Sequence, residues 1–260
     1  MADKVKEEIF KYVDLVKIGV EKQDPTVLGV LVAVGVVFLT LVLFLCFSRR
    51  GNKRSGVLLL GPCDSGKTLM FTRLVHHCYR TTYTSMKPNS GSYLVTSKNK
   101  SLSIMDLPGH ERVRTQILEQ NKQLARGIIY VIDSSTFQKE IKEVAEFLYT
   151  ILSDSVISNN APPILVACNK HDLTFVKGSK FIQTQLEKEM NTLRVTRSAA
   201  LQQIDGASNN NTYLGKRNKD FAFEDLKPIK VEFVECSAQG KDAESEPDLK
   251  AVEEWLIKIA

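Results

Sequence analysis

The stretch Gly61-Pro62-Cys63-Asp64-Ser65-Gly66-Lys67-Thr68 decides how this chain is read: a glycine, four further residues, then Gly-Lys-Thr. The uninterrupted apolar run Val57-Leu58-Leu59-Leu60 leads into it and reads as a buried strand. Leu69 to Tyr79 follows and reads as a helix. A strand that turns through glycines into a helix start aims several backbone N–H groups at one point. The helix dipole adds partial positive charge there. A polyphosphate suits that point. Lys67 is expected to reach its terminal phosphates, and the Thr68 hydroxyl to hold Mg²⁺.

Three further motifs follow in order, each at the end of a strand-like run. Asp106-Leu-Pro-Gly109-His110 follows Leu102-Ser-Ile-Met, and Asn169-Lys170-His171-Asp172 follows Ile164-Leu-Val-Ala-Cys. Cys236-Ser237-Ala238 follows Val231-Glu-Phe-Val-Glu. Open α/β sheets bind ligands at the carboxyl ends of their strands. The base is readable from chemistry. Guanine presents two donors side by side, its N1–H and its exocyclic amine, and one fixed carboxylate accepts both. Asp172 is that carboxylate. Adenine has no N1 proton and leaves it unpaired, which can discriminate by ~10⁴. The ligand set is therefore GTP/GDP with Mg²⁺. Asp106 is expected to reach Mg²⁺ through water, and the Gly109 N–H to sense the γ-phosphate.

Alternating strand and helix patterns predict an α/β, doubly wound, mostly parallel six-stranded sheet. Strands are expected near 56–60, 92–97, 101–106, 127–133, 163–169 and 230–235. Helices are expected near 67–79, 112–125, 137–153, 178–200 and 247–259. Arg80 to Gly91 lacks periodicity and reads as the first switch, in which Thr81, Thr82, Tyr83 and Thr84 are candidate nucleotide contacts. Residues 202–220, with Asn209-Asn-Asn, read as a flexible loop, either a partner surface or a plain insertion.

No residue between Asp24 and Arg49 is charged, and Val27 to Phe47 is a nearly continuous apolar run of 21 residues. About 20 such residues cross a bilayer as a helix. A cleavable signal has a shorter apolar region, ~7–15 residues, ending in small residues. The expected organisation is a lumenal tail (1–26), a transmembrane helix (27–47), a basic juxtamembrane linker (48–54) and a cytosolic nucleotide-binding domain (55–260). Charge bias at the flanks is modest. The stronger argument for orientation is that GTP regulation belongs to the cytosol. The tail carries Val5, Ile9, Val13, Val16 and Val20 at helical spacing. It is either a short surface helix or a solvated tail.

Charge and cysteine content narrow the class further. With 35 basic against 30 acidic residues the net charge is only +5. No direct nucleic-acid partner is expected, and the basic cluster after the span fits lipid headgroups. Five cysteines without paired metal spacing fit reduced cytosolic thiols.

Over roughly Ser55 to Ala260 the motifs above resemble the small GTPase superfamily. Asp106-x-Pro-Gly-His110, a strand-like segment between the switches and a closing helix are similar to its Arf and Sar branch. The stretch Leu186 to Ala200, the run Val231-Glu-Phe-Val-Glu-Cys-Ser-Ala and the N-terminal span more specifically resemble the β-subunit family of the signal recognition particle receptor. That resemblance implies that Asn169 braces the base loop, that the Lys170 stem packs on the base and that the Ala238 N–H meets the guanine carbonyl. Among the switch residues it favours Thr84 as the second Mg²⁺ hydroxyl. It also implies the endoplasmic reticulum membrane as location and the receptor α subunit as partner in a heterodimer, with the ribosome or translocon nearby. The chain departs from Ras-like patterns in three places. His110 stands where a glutamine orients the attacking water, and it is either the catalytic candidate or a structural side chain in an interface. Cys63 and Asp64 stand where Ras-like chains carry glycines, which implies slow hydrolysis. Met1-Ala2-Asp3 is no acylation signal, and the span is expected to replace it.

Overall fold

The apolar runs become the strands of one six-stranded sheet, ordered β2-β3-β1-β4-β5-β6. The computed structural model describes residues 29, 32–33, 35–42, 54–202, 214–216, 218–240 and 245–260. The strands are β1 (Gly56–Leu60), β2 (Asn89–Val95), β3 (Lys100–Asp106), β4 (Ala125–Asp133), β5 (Ile164–Asn169) and β6 (Val231–Glu235). The helices are α1 (Lys67–His76), α2 (Glu111–Asn121), α3 (Phe137–Ser153), α4 (Ser155–Asn160), α5 (Ser179–Gln202) and α6 (Lys250–Ile259). Among the strand pairs of the described residues, only β2–β3 is antiparallel. The sheet is therefore mixed, with a parallel body and one antiparallel edge.

Helices cover both faces, which explains why the central strands read as unbroken apolar runs. Alternate residues of β1, β4 and β5 enter separate cores. Leu58, Ile128, Tyr130 and Val166 pack with α3 and α5 through Leu148, Ile182 and Leu186. Val57, Leu59, Ile129 and Leu165 pack with α1 and α6 through Met70, Leu74, Val252 and Trp255. The registers Leu59↔Asp106 and Asp133↔Asn169 bring the strand ends to one edge. Every nucleotide motif lies there.

Boundaries shifted where local chemistry overrode pattern. α1 stops at His76 rather than Tyr79, because His77 is left-handed with φ +51°. β2 begins at Asn89, three residues before the expected strand. Its Asn-Ser-Gly start reads as a turn, yet it pairs along β3 from Asn89↔Asp106. α2 ends at Asn121 in a 3-10 turn, Lys122–Leu124, that feeds β4. α6 begins at Lys250, later than expected. α4 was not expected. The Asp154 side chain caps it, accepting from the Val156 and Ile157 N–H groups at 2.9 and 3.0 Å.

The chain divides between Lys53 and Arg54. In the first unit residues 29, 32–33 and 35–42 are helical, with Val36, Val37, Phe38 and Leu39 exposed. Among the described residues no helix is long and apolar enough to cross a membrane. The remainder of the expected span, the tail 1–26, the linker up to residue 53 and most of the 202–220 loop lie outside the described residues.

Candidate nucleotide site

The phosphate loop connects β1 to α1, and two glycines shape it by close approach. Gly66 has φ +89°, and a Cβ there would collide with the Asn169 amide nitrogen. A Cβ on Gly109 would meet Lys67 Nζ at 2.7 Å and Gly61 O at 2.8 Å. Any side chain at either position would push the base loop or the second switch off the phosphate loop.

Lys67 opens α1 and is 6% exposed. Its ammonium donates to Pro62 O at 2.5 Å and to Ser65 Oγ at 3.4 Å. Burial pushes it below the usual lysine range, with the Asp106 charge opposing. Asp106 ends β3 with no exposed surface. Burial pushes its carboxyl up, against hydrogen bonds from Asn89 and Thr68 and the charge of Lys67. The Asp106 Oδ2 accepts from Thr68 Oγ1 at 2.9 Å and from Asn89 Nδ2 at 3.1 Å. Its Oδ1 is buried without a partner. Both charges are thus desolvated and short of compensation. An anion at Lys67 and a hard cation at Asp106 supply what each lacks, and an orphaned carboxylate oxygen beside a hydroxyl is an oxygen-donor set that suits Mg²⁺.

A cavity of about 280 Å³ opens beside these groups. Cys63, Asp64, Gly66, Lys67 and Thr68 line it from the phosphate loop, and Thr82, Tyr83, Thr84 and Ser85 from the first switch. Leu69, Leu107, Pro108, Gly109 and Lys170 complete the wall. Thr81 does not line it. Ser85 is the switch hydroxyl beside Thr68, with the two oxygens 3.2 Å apart. Ser85 and Asn89 were missed from sequence. Nothing marks one serine among several hydroxyls, and Asn89 gains its role only through the β2–β3 register. His110 does not line the cavity either. Its Nδ1 accepts from the Arg112 N–H at 3.3 Å and so caps α2.

The base side is held by one amide. Asn169 donates from Nδ2 to Ser65 O at 2.9 Å, and its Oδ1 accepts from the Ala238 N–H at 2.9 Å. It ties the phosphate loop, the end of β5 and the loop after β6 together. The Ala238 N–H is engaged by Asn169 here, where the resemblance reserves it for the guanine carbonyl. The Asp172 Oδ1 accepts from the Ser237 hydroxyl at 2.5 Å, and that hydroxyl accepts from the Gly240 N–H at 2.9 Å. The carboxylate is thereby oriented with its other oxygen outside that contact. Lys170, left-handed at φ +67°, pairs with Asp133. Of the expected residues, Gly61 to Thr68, Asp106 and Gly109 assemble at the phosphate end. Asn169, Asp172, Ser237 and Ala238 assemble at the base end, with Lys170 between.

Comparison with known proteins identifies the family. The family model of the signal recognition particle receptor beta subunit matches residues 52–231. The rat signal recognition particle receptor subunit beta is 49% identical over 251 residues, covering 96% of this chain and 93% of the rat protein. The human subunit is also 49% identical over 251 residues, covering 96% of this chain and 92% of its own length. A chain in the solved structure of the mammalian signal recognition particle receptor is 48% identical. It superposes with a TM-score of 0.69 over 79% of this chain and 100% of its own length. A P-loop GTPase fold, a matching family model and near-half identity over almost the whole length agree: this chain belongs to the signal recognition particle receptor β-subunit family.

Proposed function

We propose that this chain is a membrane-anchored, guanine-nucleotide-dependent receptor subunit. It holds the α subunit of the signal recognition particle receptor at the endoplasmic reticulum membrane, where ribosomes carrying secretory chains arrive. One observation carries the nucleotide part. Lys67 and Asp106 are opposite charges that burial desolvates, with one Asp106 oxygen left without a partner, beside a cavity that both switch segments line. In this reading Thr68 and Asp106 hold Mg²⁺, with Ser85 or Thr84 as the switch hydroxyl. Bound Mg²⁺ neutralises phosphate charge. Lys67 binds the terminal phosphates, Gly109 reports the γ-phosphate, and Asp172 selects guanine. Because Gly109 and residues 82–85 line the same cavity, a γ-phosphate would order both segments into one docking surface.

The anchor rests on the uncharged run between Asp24 and Arg49 and on the exposed valines, phenylalanine and leucine of its described helical residues. A spanning helix is effectively irreversible, which argues against a vesicle-coat switch that must leave the membrane. Turnover is proposed to be slow. The His110 ring is turned to the α2 N-terminus, and Cys63 and Asp64 line the phosphate end.

The test is capture of the purified receptor α subunit by the full chain in liposomes. Loading with non-hydrolysable GTP is expected to give retention at least about tenfold above loading with GDP, a coupling of the size typical between two linked sites. Equal retention with both nucleotides would leave only a constitutive anchor and overturn the switch.

A further inference from the structure

Asp133 closes β4 and belongs to none of the four nucleotide motifs. It ends the apolar run Ile128 to Ile132, pairs in register with Asn169 and so lies at the same sheet edge as the site. It is 5% exposed, and both carboxylate oxygens are engaged. Its Oδ1 accepts from the Ser135 N–H at 2.8 Å and the Ser135 hydroxyl at 2.6 Å. Its Oδ2 accepts from the Lys170 ammonium at 2.6 Å. Burial alone would raise this carboxyl, but the hydrogen bonds from Lys170 and Ser135 outweigh it and hold the group below its ordinary value. Asp133 is therefore ionised at neutral pH. Lys170 follows Asn169 directly and is left-handed at φ +67°, a conformation that persists where surroundings fix it. The residue lines the nucleotide cavity while its ammonium is turned to β4.

We propose that Asp133 is a positioning residue of the nucleotide site. By clamping the Lys170 ammonium it holds the lysine stem in place as a wall of the base pocket before nucleotide arrives, and so it lengthens nucleotide residence. This rests on the guanine reading above and deepens it, because it gives a role to a residue outside the recognised motifs. The physical reason is entropic. A free lysine side chain must lose its rotamer freedom each time it packs on a base, whereas a clamped one has already lost it during folding. Asp133 itself touches no nucleotide. Its effect passes entirely through Lys170, and that makes the idea testable as a coupling.

The experiment measures release of a fluorescent GDP, chased with excess GDP, from the full chain. The variants are wild type, Asp133→Asn, Lys170→Met and the double. Asparagine keeps the shape of Asp133 without its charge, and methionine keeps most of the Lys170 stem without its ammonium. Asp133→Asn is expected to release about tenfold faster than wild type, while the double variant matches Lys170→Met within about twofold. Should Asp133→Asn not fold, Asp133→Glu takes its place in the cycle with the same expected pattern, since it moves the charge by one methylene. A fall in melting temperature with unchanged release would make Asp133 a merely structural residue and overturn the proposal. So would effects of positions 133 and 170 that multiply. Asp172→Asn serves as the control. A wild type that binds guanine nucleotide and turns toward xanthine with Asp172→Asn, yet shows multiplying effects at 133 and 170, ends this proposal alone. A wild type that binds no guanine nucleotide ends both.

Discussion

Lys67→Ala should weaken guanine-nucleotide binding by about 100-fold or more while leaving the fold intact. Lys67 is the buried cation at the start of α1, 6% exposed and beside the cavity wall. Hydrogen bonds to a charged group contribute about 1.5–3 kcal/mol each, so losing one or two at the phosphates gives that factor. The fold should tolerate the change, because the ammonium hydrogen-bonds the Pro62 carbonyl and the Ser65 hydroxyl, is itself disfavoured by burial, and leaves Asp106 its hydrogen bonds from Thr68 and Asn89. Equilibrium binding of a fluorescent GDP and a melting curve check both halves. Wild-type affinity in the variant would remove Lys67 from the site.

Asp172→Asn should exchange base preference. GTP affinity is expected to fall by about 100-fold or more, and XTP affinity to exceed it. The reason is donor–acceptor matching. A carboxylate accepts from both guanine donors. An asparagine presents a donor on one side, which suits the carbonyl that xanthine carries in place of the amine. The structure supports a fixed carboxylate, since the Ser237 hydroxyl holds one oxygen of Asp172 and the Gly240 N–H holds that hydroxyl. Competition of GTP against XTP on both proteins reads the outcome. An unchanged ratio would show that Asp172 does not read the base.

The central strands were legible because burial on both faces leaves no polar position in Val57–Leu60, Ile128–Ile132 or Ile164–Cys168. The phosphate loop and the Asn169–Asp172 run were legible because their chemistry needs particular residue types at fixed spacing. What sequence did not show depends on contacts across the chain. Asn89 matters because β2 pairs with β3 in a register that sets it beside Asp106. Ser85 was hidden among the hydroxyls of a segment without periodicity. The His110 ring points to its own helix start, which a residue type cannot reveal. Asp133 carried a signal that could have been used. A lone carboxylate closing a wholly apolar run stands at the same strand-end position as Asp106 and Asn169. β2 and α4 were missed or shortened for a simpler reason. Their Asn, Ser and Gly content favours turns, and pairing or a cap overrode it.

The most direct measurement is an equilibrium titration of the full chain with GTP and with ATP, each with Mg²⁺ and with a chelator. The strand-end site predicts saturable GTP binding that weakens on Mg²⁺ removal, and at least a roughly 1,000-fold preference for GTP over ATP. Equal affinity for GTP and ATP, or no binding of either, would contradict it.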